Sequence, residues 1–303
     1  MNSVSFWQFL EDTLKAKRRV LLTIVIEASG SSPGRQGFKM AVAGDGKIAG
    51  TVGGGIMENN IINESKALLK KNQAPVYYKR YKHIPEVKDN SGMVCSGEQI
   101  IAFIPLAQSD LPEISRALKA VKENKPHEFM IKSDEFIYSE PLGIRERVYI
   151  FGGGHVGLAL SKAMRFVGFH VVVIDSRAEV ATLKENSYAH EIIIDDFSKC
   201  VRHAKEGDRS YIVIVTPGHR DDKTVLLQAL KKKVKYIGLM GSKSKVKRLF
   251  SELIKEGVLK SALSKVHSPI GVQISSKTPE EIAVSIAAEI IGVKNGEPGK
   301  KTH

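Results

Sequence analysis

Residues 148–157 read VYIFGGGHVG. An apolar run ends in Gly152, Gly153 and Gly154, and Gly157 completes the spacing G-x-G-x-x-G. That spacing carries meaning where a strand runs into it and a helix leaves it. The first glycine permits a tight turn, the second lets a pyrophosphate approach the backbone, and the third lets helix and strand pack closely. Amides around Gly154 and His155, with the helix dipole behind them, then face an anion. Asp175 ends the next apolar run, HVVVID, where an acid can bind a ribose hydroxyl, while Arg177 two residues later suits a 2′-phosphate. The residues leave two readings open. The turn binds NAD or NADP, or it is a scaffold whose glycines only satisfy turn geometry.

Outward from that stretch, short strands at 148–151, 170–174, 191–194, 211–215 and 235–238 alternate with helical stretches at 155–167, 221–232 and 243–255. Such alternation implies a doubly wound parallel sheet. The preceding half lacks it. A β-branched strand at 20–28 leads to the glycine loop GSSPGRQG at 30–37. A hairpin follows around Gly44-Asp45-Gly46, then the break at Gly53, Gly54 and Gly55, a helix at 56–71, strands at 76–81 and 99–105, and a helix at 111–124. The expected fold class is therefore α/β. An α+β N-terminal domain (1–136) is followed by a polar linker (137–147), a Rossmann-like domain (148–293) and a flexible tail (294–303). Thr278-Pro279-Glu280-Glu281 reads as a capping box opening a last packing helix.

The chain has 303 residues, 42% hydrophobic and 26% charged, which suits two ordinary domains and excludes wholesale disorder. Its net charge of +13 favours an anionic partner. Two cysteines, Cys95 and Cys200, exclude a disulfide scaffold, a four-cysteine zinc site and a self-contained Cys-ligated iron–sulfur protein. No signal peptide and no run of the roughly 20 apolar residues that a membrane helix needs are visible. The expectation is a cytoplasmic protein without a membrane contact. No aromatic-interleaved basic patch stands out, so nucleic acid is not expected as a partner.

Four places carry chemistry. His219 and Asp222 follow the fourth strand of the second half, on an edge where open α/β sheets hold ligands. His219 titrates near neutrality and suits an acid/base role, with Asp222 orienting it or serving as a helix cap. Gly241 and Ser242, with Lys243 and Lys245 beside them, either hold an anionic oxygen or open a solvated basic helix face. Gly53, Gly54 and Gly55 offer backbone donors to an anion, and Glu58 either contacts a ligand's N–H groups or, as spacing alone favours, is a first-turn acid suited to the helix dipole. Cys95, in the turn-rich SGMVCSG, suits an accessible nucleophile or soft-metal ligand, whereas Cys200 reads as inert packing.

Taken in order, these pieces resemble the XdhC/CoxI family of accessory proteins for molybdenum hydroxylases. The resemblance rests on Gly30-Ser31-Ser32-Pro33, Lys39-Met40, residues 50–55 with Glu58, the Cys95 loop, the 151–157 turn and residues 218–222. It continues through 236–243, Ser268-Pro269-Ile270-Gly271 and 278–286. It implies a two-domain, often dimeric chaperone that carries the molybdenum cofactor (molybdopterin) as cargo. Such a chaperone favours the sulfurated form and delivers it to a xanthine dehydrogenase-type hydroxylase, with a sulfur donor such as a cysteine desulfurase as a further partner. Site residues then expected to contact the cargo are Gly53, Gly54, Gly55, Glu58, Cys95, Gly152, Gly154, His155, Gly157, Asp175, His219, Gly241 and Ser242, with Cys95 the candidate for molybdenum. The family's pattern places a cysteine directly after the glycine run, where this chain has Ile56, so Cys95 must act alone or the backbone must make the contact. The alternative function is an NAD(P)-dependent oxidoreductase with His219 as acid/base.

Overall fold

A computed structural model describes residues 4–71, 75–82 and 97–296, which fall into two compact units, 1–144 and 145–303. The first unit contains α1 (Val4–Lys15), β1 (Val20–Ser29), β2 (Lys39–Ala43), β3 (Ile48–Gly50), α2 (Gly55–Leu69), β4 (Tyr77–Lys82), β5 (Glu98–Leu106) and α3 (Leu111–Glu123). Two more strands, β6 (His127–Lys132) and β7 (Ile137–Leu142), complete it. The first five strands form an antiparallel sheet in the order β3-β2-β1-β5-β4. β1 is central and its first six residues are buried, because both faces of the sheet are covered. Leu22 and Ile24 meet Trp7, Leu10 and Leu118 from α1 and α3, while Leu21 and Val25 meet Met57 and Ile61 of α2.

Residues 137–142, expected as linker, are instead β7, paired antiparallel with β6. Tyr138 and Leu142 point inward to the same core as Phe129 and Trp7, Glu140 on the same face accepts from Lys39 and Tyr138, and Ser139 and Pro141 face outward. The period-two alternation that marks a half-buried strand was present in IYSEPL, masked by its overall polarity.

The second unit contains β8 (Arg147–Phe151), α4 (His155–Phe166), β9 (His170–Asp175), α5 (Ala181–Lys184), β10 (Glu191–Ile194), β11 (Gly207–Ile214) and α6 (His219–Ala229). It continues with β12 (Val234–Leu239), α7 (Lys243–Lys255), α8 (Lys260–Leu263), β13 (Val266–His267) and α9 (Pro279–Lys294). Its six strands are parallel in the order β10-β9-β8-β11-β12-β13. Chain direction across the sheet reverses between β8 and β11, so the crevice at their carboxyl ends is the topological switch point. Phe151, Ile174 and Ile214 pack with Val225, Leu226 and Leu249 from α6 and α7 on one face. Ile150, Val173 and Val213 pack with Leu160, Met164 and Ile286 from α4 and α9 on the other.

α9 opens with the expected capping box, Thr278 Oγ1 accepting from the Glu281 amide and Glu281 accepting from the Thr278 amide. The helix runs through Lys294, the first residue of the span expected as tail. Among the described residues no helix is long and apolar enough to cross a membrane.

Candidate functional site

In the second unit the glycine-rich turn has each of its three expected features. Gly152 sits at φ +121° with an added Cβ only 2.3 Å from the Val215 carbonyl oxygen. A Cβ on Gly157 would lie 2.1 Å from the Gly152 oxygen, so helix and strand touch there. Gly154, the N-cap of α4, faces open space and has no side-chain cap, which leaves the first amides of α4 available to an anion.

The ribose half of a dinucleotide site is different. Asp175 is fully buried at the end of β9. Its Oδ2 accepts from the Gly153 amide at 2.7 Å and from Arg177 Nη2 at 2.9 Å. Its Oδ1 accepts from the Arg177 amide at 3.0 Å and from Arg177 Nε at 2.9 Å. Burial alone would raise this carboxyl, but the Arg177 fork and the two amides outweigh it and hold Asp175 below the usual carboxylate range. Thr182 Oγ1 donates to the Gly153 carbonyl, and Leu183 packs against Gly153. The residues present thus fit the pyrophosphate of NAD(P) but not its adenosine ribose.

Other expected site residues are engaged elsewhere. His219 begins α6 and its Nε2 lies 3.2 Å from Glu252 of α7, so its partner is on the neighbouring helix. Asp222, 1% exposed, does not orient His219. It accepts from Thr216 Oγ1 and Lys245 Nζ and so ties β11, α6 and α7 together. The N-cap of α6 is Gly218, not an aspartate. Ser242 Oγ caps α7 by accepting from the Lys245 amide at 3.2 Å, and the Lys245 stem lies beside Gly241. His155 is exposed and lines an apolar hollow of about 940 Å³ between α4 and α9, with Phe166 and Val284. Cys200 is buried, and burial first, then Asp195, pushes its thiol up to about 12, which removes it as a nucleophile.

In the first unit three separated segments meet. Gly34 backs onto the Val52 carbonyl, where a Cβ would come within 2.1 Å, and Gly53 backs onto Pro33. Gly97, the first described residue after the Cys95 loop, backs onto Ser31 and Ser32. Cys95 itself lies outside the described residues. Gln99 Nε2 donates to the Val52 carbonyl at 3.1 Å and joins β5 to the same turn.

Positive φ at Gly53, Gly54 and Gly55 curls the backbone so that the Val52 and Gly54 amides converge, while the Gly53 amide donates to Thr51 Oγ1. The anion they converge on is the chain's own Glu58. Its Oε2 accepts from the Val52 amide at 2.9 Å, the Gly54 amide at 3.0 Å and the Thr51 hydroxyl. Glu58 was expected to reach toward a ligand; it instead fills the turn. Glu58→Ala should therefore loosen the turn and cost about 1–2 kcal/mol, the worth of a lost cap. Glu58→Gln should recover part of that in thermal denaturation, and an unchanged midpoint for Ala would deny Glu58 this role.

Sequence reading counted Lys39 among the residues of the resemblance but gave it no role in a site. Its side chain is 1% exposed, and its Nζ donates to Glu140 at 2.7 Å and to the Gly37 carbonyl at 2.8 Å. The signal was there, a lysine opening the otherwise apolar strand KMAVA. The strand β4 was expected, but not that its YYKRYK interleaves aromatic and basic residues on a sheet edge. Three of its side chains are already partnered, Tyr77 and Lys79 by Glu64 and Arg80 by Glu98. Among the described residues no group of three His, Cys, Asp or Glu side chains is placed to hold a metal ion.

Comparison with known proteins bears on both units. Residues 148–290 match the family described as the XdhC Rossmann domain, and residues 13–81 match the XdhC and CoxI family. The chain is 26% identical over 278 residues to the uncharacterized protein YqeB of Escherichia coli, covering 91% of this chain but 43% of YqeB. It is 24% identical to a Bacillus subtilis protein named as a probable xanthine dehydrogenase subunit, with 95% of this chain and 97% of that one covered. A crystal structure titled as a xanthine dehydrogenase from Bacillus halodurans superposes with a TM-score of 0.76 at 22% identity, over 98% of this chain and 96% of that one, and shows the shared fold.

Proposed function

Since the chain belongs to the XdhC and CoxI family, we propose that it is a maturation accessory of a xanthine dehydrogenase-type molybdenum hydroxylase. In this reading it binds the finished molybdenum cofactor as cargo, protects its sulfurated form and delivers it to the apo-enzyme. The same reading takes a cysteine desulfurase as sulfur source, a homodimer as the working unit and the cytoplasm as the place.

The observation that carries it is the meeting of residues 30–34, 50–55 and Gly97 in the first unit. These segments are distant in sequence and converge around a carboxylate-filled turn. Cys95 stands two residues before Gly97 and supplies a soft donor suited to molybdenum or its sulfur. Glu58 is then a positioning residue that fixes the turn. Ile56, 57% exposed at the first turn of α2, presents hydrocarbon to the cargo's ring system. The net charge of +13 favours a guest that carries a phosphate and an oxo-metal centre.

The test is co-expression of the whole chain with a molybdopterin-producing pathway, followed by native mass spectrometry and metal analysis. Molybdenum and pterin should co-purify with the chain, and protein that is always free of both would end the proposal. Cys95→Ala should keep its circular dichroism and lose the cofactor's terminal sulfur faster than the parent. Equal retention would remove Cys95 from the site.

A further inference from the structure

We propose that Arg177 locks the ribose position of the glycine-rich turn, so that the second unit excludes NAD(H) and NADP(H) although its G-x-G-x-x-G geometry is complete. An ionised carboxylate has about four acceptor positions. All four of Asp175 are taken, two by backbone amides and two by the Arg177 fork. A ribose diol brings two O–H donors and finds no acceptor. Arg177 spans the two oxygens in the bidentate geometry that gives such pairs their strength.

The 2′-phosphate of NADP meets the same lock. Two of the five guanidinium N–H groups already hold Asp175, so the incoming dianion meets a cation that a fully buried carboxylate has neutralised, and it must lie beside that carboxylate's own charge. Leu183 and Thr182 close the wall next to Gly153. What stays open is the amide end of α4 at Gly154, so the fingerprint persists as a turn without a nucleoside pocket.

The experiment is a titration of the whole protein with NADH and with NADPH, read by their fluorescence. The parent protein should show no saturable binding up to about 1 mM. Arg177→Ala frees two acceptor positions on Asp175 and should bind NADH at least about tenfold more tightly than the parent, the worth of one hydrogen bond to a charged group. Asp175→Asn in the Arg177→Ala background should abolish that gain. Saturable binding of either nucleotide to the parent well below 1 mM overturns the proposal, whether or not the variants fold. A folded Arg177→Ala protein that gains no affinity overturns the assignment of the exclusion to Arg177.

Discussion

Gly152→Ala is expected to unfold the second unit, while Gly154→Ala, two residues on, leaves it folded. At Gly152 the backbone φ of +121° is one that side-chain-bearing residues rarely adopt, and the new methyl would lie 2.3 Å from the Val215 oxygen on the adjacent strand. Neither β8 nor β11 can withdraw, since both are central in the sheet. The combined cost should exceed about 4 kcal/mol, a large share of the roughly 5–15 kcal/mol that holds a domain together. Gly154 has an ordinary φ of −71° and nothing within 4 Å of a new Cβ, so alanine there should change stability little.

The measurement separates the units cleanly. The chain's single tryptophan, Trp7, is buried in the first unit, so its fluorescence reports that unit alone. Gly152→Ala should keep native tryptophan emission and lose far-ultraviolet helix signal, and Gly154→Ala should keep both. A native spectrum for Gly152→Ala would mean that the turn does not hold this conformation.

Glu289→Ala should be the most damaging change to a polar residue. Glu289 on α9 is 8% exposed. Its Oε2 accepts from the Tyr236 hydroxyl at 2.6 Å and the Gly271 amide at 2.7 Å, and its Oε1 lies 3.0 Å from His267 Nδ1. It thereby fastens β12, β13 and the Ser268–Gly271 loop to the last helix. Alanine would leave the buried Tyr236 hydroxyl and the Gly271 amide without an acceptor, at about 3–5 kcal/mol. Glutamine keeps the volume and an acceptor oxygen and should recover much of the loss.

The pH dependence has a definite sign. Burial would raise the Glu289 carboxyl, but His267, Tyr236 and Gly271 together hold it below its ordinary value of 4.5. The folded state therefore binds fewer protons than the unfolded state between the two values. The contribution of Glu289 is complete above the unfolded value and disappears as pH falls through the folded one. Urea midpoints of the parent protein should drop through that acid range, and Glu289→Ala should flatten the drop. Parallel acid limbs for the two proteins would show that Glu289 carries no such linkage.

Much of the architecture was legible because local rules and tertiary demands agree. The alternation of apolar runs with helices gave a parallel sheet, and the glycine spacing placed its switch point. The Thr278 capping box also formed as read, since all its partners lie within four residues. The strand at 137–142 was not legible as one, because the middle of its inward face is Glu140, a charged residue whose partner Lys39 lies about a hundred positions away in the chain.

The candidate site divides along the same line. Residue types and spacing sufficed to name the turns at 53–55 and 152–157, because tight turns need glycine whatever surrounds them. They could not say what fills those turns. Glu58 occupies one and the Asp175–Arg177 pair closes part of the other, so two positions that looked like open receptors for an anion or a ribose are satisfied from within. His219 and Asp222 point to Glu252 and Lys245 for a related reason. A charged side chain takes whichever opposite charge the packing of helices brings within reach, and that geometry is written in the arrangement of α6 against α7, not in the order of residues along either one.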